Sequence, residues 1–308
     1  MKNKISITLI FILLTAFITP FVGFSMEKKT IAILKSRDIA PYNAAVEGFK
    51  NLLTEKGINA KIVDFDINKE EIIDDIKSKS PDIILTLGTR ATEIVYKKIS
   101  EIPIVFSVVL DPKEIGLVAN NLTGASLDIP LEVQFKNFKK IVSGLKRVGV
   151  IYTHEENYHI IRKAKQTARN IDINIITYPI KTIKEITKIK FNELDLDVLW
   201  LIPDMTVCQP SIIKYILKNC LKNKIAVMGI SPAYVRAGAL IAHSCDYEDI
   251  GRQTAEIALK ILKGENPKNI PISKPRKTKL YLNLAVADRL GIEIPEKIIE
   301  NAEEIFGK

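Results

Sequence analysis

From Thr30 onward, short apolar runs rich in Ile and Val alternate with segments whose apolar positions recur every three or four residues. Continuous apolar strands set between amphipathic helices are the pattern of βαβ units around a parallel sheet buried on both faces. The pattern predicts strands over TIAIL (30–34), AKIVDF (60–65), DIILTL (82–87) and PIVFSV (103–108), with helices near 42–56, near 69–78 and from Thr89. The same recipe then repeats. Strands are predicted over RVGVIY (147–152), INIITY (173–178), DVLWLI (197–202) and IAVMGI (225–230), with helices near 156–170, 182–192 and 210–222. Aligning the halves pairs Pro81-Asp-Ile-Ile-Leu with Leu196-Asp-Val-Leu-Trp at nearly the offset of the two opening strands. The expected fold class is α/β, with two similar doubly wound parallel-sheet lobes in tandem.

The connections sharpen this expectation. Between the halves lies the short extended piece Asn121-Leu-Thr-Gly-Ala-Ser126, and Pro130 opens a new helix. After the second half come a strand ALIAHS (239–244), a long amphipathic helix over 246–263 ended by Gly264, a proline-punctuated loop, a strand KLYLNL (279–284) and a last helical pair. If the 246–263 helix returns to the first lobe and the 279–284 strand crosses back, three segments join the lobes. The expected division is 26–122 plus 245–276 for the N-terminal lobe and 126–242 plus 280–308 for the C-terminal lobe. The hinge segments then fall near 123–125, 243–244 and 277–279. Such a hinge permits clamshell closure, and ligands of open α/β sheets sit at the carboxyl ends of the strands.

Lys2 and Lys4 precede an uncharged stretch, Ile5 to Ser25, that ends with small residues at Gly23 and Ser25. This is the layout of a cleavable export signal over 1–25, implying a periplasmic protein. An uncleaved membrane anchor is the other reading, since about 20 uncharged residues can span a bilayer. Of the 308 residues 47% are hydrophobic and 45 Lys+Arg stand against 36 Asp+Glu, a net +9, too apolar and too balanced for disorder. The cations are mostly lysines dispersed among acids, so nucleic acid is not expected as a partner. Cys208, Cys220 and Cys245 have neither the number of a disulfide scaffold nor the spacing of a zinc knuckle.

Four segments resemble one family, in order along the chain: IPIVFSVVLDPKEIGLV (102–118), NLTGAS (121–126), YVRAGALIAHSCDYEDIGRQTAEIALKILKGENPKNIPI (234–272) and LNLAVADRLGIEIPEKI (282–298). They are similar to the substrate-binding proteins of ABC uptake systems, of the tryptophan/tyrosine type with the type I periplasmic-binding-protein fold. The resemblance implies a monomer that captures a small-molecule ligand, an amino acid or similar zwitterion, and delivers it to an ABC permease in the inner membrane. The alternative is a sensory module that passes closure to a membrane signalling protein. The chain departs from the family pattern twice. It has Pro203-Asp204-Met205-Thr206 where many relatives have an Asp-Asn pair, and His243-Ser244-Cys245 where many have small or apolar residues.

Candidate ligand-binding residues follow from strand ends. Thr89, Arg90, Ala91 and Thr92 sit where a strand turns into a helix, and the free N–H groups of a helix start favour a carboxylate; Thr89 as a plain N-cap is the other reading. Ser107, Val108 and Asp111 end the next strand, where the family places contacts, although Asp111 before Pro112 also suits a turn. Ser126 lies at the crossing between lobes. From the second lobe come Tyr152, Ser231 and Asp204 with Met205 and Thr206. Asp204 is expected either to pair with a ligand ammonium or to cap a helix near Thr206. Asp246 is read chiefly as the cap of the 246–263 helix. Arg37 and Tyr42 flank the first strand-to-helix turn and either close over a ligand or cover the sheet edge.

No catalytic role is expected. His154 and His159 are five positions apart, not the four that align two ligands on a helix, so no metal site is predicted. His243, Ser244 and Cys245 alternate across a strand and cannot form a relay; they read as hinge structure. Without a phosphate loop or a GxGxxG pattern, no cofactor is predicted.

Overall fold

The computed structural model describes residues 28–307 of the chain. The expected export signal, residues 1–25, lies outside them. The first half runs β1 (Lys29–Lys35), α1 (Ala40–Glu55), β2 (Ala60–Phe65), α2 (Ile72–Ser78), β3 (Ile83–Leu87), α3 (Thr89–Tyr96), β4 (Ile104–Val109) and β5 (Leu122–Ser126). It continues with α4 (Leu131–Ile141), β6 (Arg147–Thr153), α5 (His154–Arg169), β7 (Asn174–Ile180), α6 (Ile183–Ile186), β8 (Val198–Trp200), α7 (Pro210–Lys222) and β9 (Ala226–Gly229). The last stretch holds α8 (Pro232–Arg236), β10 (Ile241–Cys245), α9 (Tyr247–Leu262), β11 (Thr278–Asn283), α10 (Leu284–Leu290), α11 (Glu296–Glu300) and β12 (Glu304–Phe306).

The strands form two sheets. The first is wholly parallel, in the order β2-β1-β3-β4-β5, and the second runs β12-β11-β10-β9-β8-β6-β7 with only the β10–β11 pair antiparallel. Every residue of β3, β4 and β5 is buried, which is why these segments read as unbroken apolar runs. On the first sheet one core joins Ile31, Ile33 and Leu85 to α1 and α9, and another joins Ala32, Leu34 and Ile84 to α2 and α3. The second sheet is covered by α4, α5 and α10 on one face and by α6 and α7 on the other. The expected α/β architecture with two doubly wound lobes is thus present, the second lobe being enlarged by β10, β11 and β12.

Two elements differ from the sequence reading. The predicted 182–192 helix is the single turn α6 followed by a 3-10 turn at Phe191–Glu193. Ile186 and Phe191 are buried there, and Ile183 and Ile189 pack against the same core only partly buried. The piece 121–126, expected as a connection with a hinge near 123–125, is the fifth strand of the first sheet. Its backbone pairs with β4 from Ile104↔Leu122 to Ser107↔Ala125, so the sheet extends to Ser126 before the chain leaves it.

α9 returns to the first sheet after β10, packing along α1 and across β4 and β5. The α1–α9 approach is close enough that a Cβ on Gly48 would overlap the carbonyl of Glu248, and one on Gly251 would overlap the carbonyl of Ala45. The two glycines thus set the helix spacing reciprocally. Ser273 remains at the edge of the first sheet, donating its N–H to Gly124 O and accepting that of Ser126, each at 2.9 Å. The chain therefore passes between sheets at 127–130, at 245–246 and at 274–277. The last passage is fixed to α9 by Arg276, whose guanidinium meets the buried Asp249 at 2.9 Å and Glu256 at 2.9 Å. Among the described residues no helix is long and apolar enough to cross a membrane.

Candidate functional site

A cavity of about 1200 Å³ lies between the two sheets' domains, beside the three crossing segments. The first lobe contributes the segments leaving β4 and β5, Leu110 to Glu114 and Ser126 to Pro130. The second contributes the ends of β8 and β9, the end of β10, and the flanks of α4 and α5. The back wall is apolar, with Trp200, Ile202, Ile230 and Leu131. Phe135 meets the Trp200 ring edge-on with centroids 5.2 Å apart, which fixes the indole in place.

The rim is charged. Asp111 Oδ1 accepts from Lys163 Nζ at 3.2 Å, and its Oδ2 stands 3.5 Å from His159 Nε2. Lys163 also reaches Glu114 at 2.9 Å, so one lysine of the second lobe faces two acids of the first. Burial opposes the charge on Lys163, but the bonds to Glu114 and Asp111 outweigh it and hold the ammonium above its ordinary pKa. Asp128 accepts the backbone N–H of Asp111 at 2.7 Å. Burial pushes the Asp128 carboxyl above the usual range, and the adjacent Asp111 charge adds to the shift. A carboxylate so placed gains from an incoming cation. The backbone is strained at the same corner. Val108 and Asp111 hold φ of 57° and 44°, left-handed values that are costly for a β-branched residue above all. The pairing of β4 with β5 slips between Ser107 and Val109, at Val108.

Deeper in, His243 lines the cavity from β10 and is 6% exposed. Phe138 packs edge-on against its ring, and Nε2 lies 3.4 Å from Asn137 Nδ2. Its Nδ1 is the one buried side-chain nitrogen or oxygen without a hydrogen-bond partner among the described residues. Burial pushes the imidazole pKa down to about 4, so the ring is neutral at physiological pH.

Of the residues singled out from sequence, Asp111, Ser126 and Ser231 line this cavity. The structure gives most of the others internal partners. Asp204 is 3% exposed and accepts five hydrogen bonds, from the backbone N–H groups of Thr153, Thr206 and Val207, the Thr153 hydroxyl and the Asn157 amide. Of the two readings of Asp204, these bonds support the structural one over pairing with a ligand ammonium. Asp204 binds the β8 loop to the start of α5, and what it caps is a turn at 205–208, not a helix. Thr206 belongs to that turn, and Met205 beside it is 80% exposed.

The start of α3 differs in the same way. Its N-cap is Gly88, whose φ of 82° and contact with Tyr42 and Ser36 leave no space for a Cβ, and Thr89 does not cap. The Ala91 N–H donates to Ser36 Oγ at 2.9 Å, and the Thr92 hydroxyl, fully buried, bonds Gly88 O and Thr86. Ala91 and Thr92 are therefore withdrawn from any ligand, while Thr89 is half-buried and Arg90 exposed at the rim of the first lobe. Ser107 is buried against Thr254 of α9, which donates to its hydroxyl at 3.0 Å, and Val108 faces the α1–α9 core. Asp246 caps α9 by accepting from Asp249 N at 3.1 Å. Tyr152 sits in the α4–α5 core, its hydroxyl 3.3 Å from His154 Nδ1. Arg37 is exposed and Tyr42 half-buried over Gly88. Residues missed by sequence reasoning are Lys163, Asp128 and Trp200, which occupy ordinary helix, loop and strand positions; His243, singled out as a departure from the family pattern and read as hinge structure, lines the cavity.

Among the described residues no group of three or more His, Cys, Asp or Glu could hold a metal ion. A family model described as "ABC transporter substrate binding protein" matches residues 31–306. A "Tyrosine-binding protein" of Clostridioides difficile is 26% identical over 278 residues, covering 84% of this chain and 80% of that protein. The ligand-free, open structure of a substrate-binding protein with adhesive properties from Clostridium difficile superposes with TM-score 0.78 at 25% identity, covering 91% of this chain and 100% of that one. An ABC domain from Streptococcus pneumonia, solved with L-Trp, shares the fold at TM-score 0.65 and 20% identity, covering 91% of this chain and 100% of that one.

Proposed function

Because the chain belongs to the ABC transporter substrate binding protein family, we propose that it captures an amino acid with a large apolar or aromatic side chain between its two lobes and delivers it to a membrane permease. The observation that carries this reading is the cavity's division of labour. An aromatic and aliphatic back wall suits an apolar side chain, and a rim holding Asp111, Asp128 and Lys163 suits an α-ammonium and an α-carboxylate. The tyrosine-binding relative supports the same ligand class.

Closure would pivot on the three passages at 127–130, 245–246 and 274–277, with α5 of the second lobe already meeting the β4 corner of the first through Lys163 and Asp111. The protein would work outside the cytoplasm, carried there by the segment Met1 to Ser25, and it would do no chemistry on its ligand. Isothermal calorimetry and thermal shift with the free L-amino acids test the reading. A ligand at a hundredfold excess over Kd stabilises by about 2.7 kcal/mol, so binding registers clearly in both. Tyrosine, tryptophan or phenylalanine is expected to bind and raise Tm. No response to any amino acid at millimolar concentration overturns the proposal.

A further inference from the structure

We infer that the contact between α5 and the exit of β4 is a pH-sensitive latch between the lobes, in which protonation of His159 gives Asp111 a second cation from the opposite lobe. The inference goes beyond ligand capture and does not depend on what the ligand is. It starts from one carboxylate that faces two groups of the same helix. Asp111 Oδ1 lies 3.2 Å from Lys163 Nζ and Oδ2 lies 3.5 Å from His159 Nε2, so each oxygen has its own partner. His159 and Lys163 are four residues apart on α5 and share one helix face. The turn that presents Asp111 is itself fixed, its backbone N–H donating to Asp128 at 2.7 Å.

The two α5 groups act differently. Lys163 also reaches Glu114 at 2.9 Å, and as an ammonium it joins the lobes throughout the physiological pH range. His159 adds to the junction only when protonated, and histidine is the side chain whose charge changes between pH 5 and 8. On its own helix Arg162 and Lys163 oppose a charge on His159, and Glu155, one turn earlier, is exposed. Of the elements packed on the other sides of α5, α4 spends Glu132 and Lys136 on each other at 2.6 Å and Lys139 on Ile171 O, and its Lys140 is exposed. β6 and β7 bring Arg147, bonded to Asp197, and the phenols Tyr152 and Tyr178. Among the described residues the acids that act on His159 from another element are thus Asp111 and Glu114 of the first lobe, with Asp128 behind Asp111 and the exposed Lys113 between them in sequence. Parting the lobes removes these acids and leaves Arg162 and Lys163 in place. Protonation and closure therefore favour each other, and the coupling is reciprocal. Acid shifts the lobes toward the joined arrangement, and neutral or alkaline solution releases them.

Small-angle X-ray scattering of the ligand-free protein between pH 5 and 8 tests the latch. Wild type is expected to become more compact as pH falls, with the ratio of joined to parted lobes rising about two- to fivefold, the range of a partly exposed ion pair. The change should shrink at about 1 M salt. His159→Gln should lose the pH dependence and keep the dimensions that wild type shows at the alkaline end. His159→Lys, charged throughout, should instead stay compact over the whole range, an outcome that a merely structural histidine would not give. Asp111→Asn should lose the pH dependence as well, whereas His154→Gln, which removes the other histidine of α5, should titrate as wild type does. A wild-type radius of gyration that does not change with pH, or a change that survives unaltered in His159→Gln, overturns the inference. These measurements contain no ligand, so failure of the proposed ligand class leaves their result standing, and failure of the latch leaves that class untouched.

Discussion

Lys163 of α5 places its ammonium 3.2 Å from Asp111 at the exit of β4, an ion pair that joins the two lobes directly across the cavity mouth. The lysine also meets Glu114, so removing it leaves Asp111, Glu114 and Asp128 with less opposing charge where a ligand carboxylate is proposed to dock. The lysine side chain is 43% exposed, and pairs of that kind contribute only about 1 kcal/mol or less to stability. Lys163→Met is therefore expected to weaken zwitterion binding about tenfold in calorimetry at low salt while shifting Tm little. A loss of affinity that persists unchanged at high salt would argue against the electrostatic account, because screening should reduce it.

Asp204 makes the opposite prediction. Its carboxylate is buried and accepts from three backbone N–H groups and two side chains, so Asp204→Ala strands several buried donors at once. Each unsatisfied donor costs about 1–3 kcal/mol, and the expected loss is about 3 kcal/mol or more after partial relaxation. Urea denaturation measures it. Full stability with abolished binding would return Asp204 to a ligand-contacting role.

These two residues show what the chain discloses by itself. The two-sheet architecture was legible because each sheet is buried on both faces and writes itself as apolar runs. The return of α9 to the first lobe was legible from its amphipathic period after an extra strand. Asp204 was noticed because it follows an apolar strand, but burial and exposure of a strand-end carboxylate look alike in one dimension. What separates them is the Thr153 and Asn157 donors, some 50 residues earlier in sequence. Lys163 was invisible for the converse reason, being one lysine among many on a helix, distinguished only by the acids that the fold brings to it. The piece 121–126 reads as extended, but with a hinge near 123–125 where the chain is still in strand β5, because a five-residue edge strand with a central glycine carries the composition of a turn.

The α1–α9 interface supplies a prediction about the fold alone. Gly48 and Gly251 each face a carbonyl oxygen of the opposite helix with no space for a methyl group. Backbone cannot swing aside as a flexible side chain does, so Gly48→Ala and Gly251→Ala must each push the helices apart and loosen the core between them. Each is expected to cost about 1–3 kcal/mol, and the double variant should cost less than the sum, since one separation relieves both clashes. Additive losses in denaturant titrations would refute the shared-spacing argument.

The neutral state of His243 sets a pH dependence whose sign is fixed. In the unfolded chain the imidazole titrates near 6.5, whereas in the folded protein burial lowers it to about 4. Above pH 6.5 neither state is protonated and the group has no effect on stability. As pH falls from 6.5 toward 4, the unfolded chain takes up a proton that the folded protein refuses, and stability declines by up to about 1.4 kcal/mol per pH unit. Below about 4 both states carry the proton and this contribution stops changing. Acid residues such as Glu114 and Asp197, held below their usual range by bonds to Lys163 and Arg147, add their own losses at lower pH. The comparison that isolates the histidine is wild type against His243→Phe between pH 4 and 7. The variant should show the shallower decline, and identical slopes would mean that burial does not lower the His243 pKa in the folded protein.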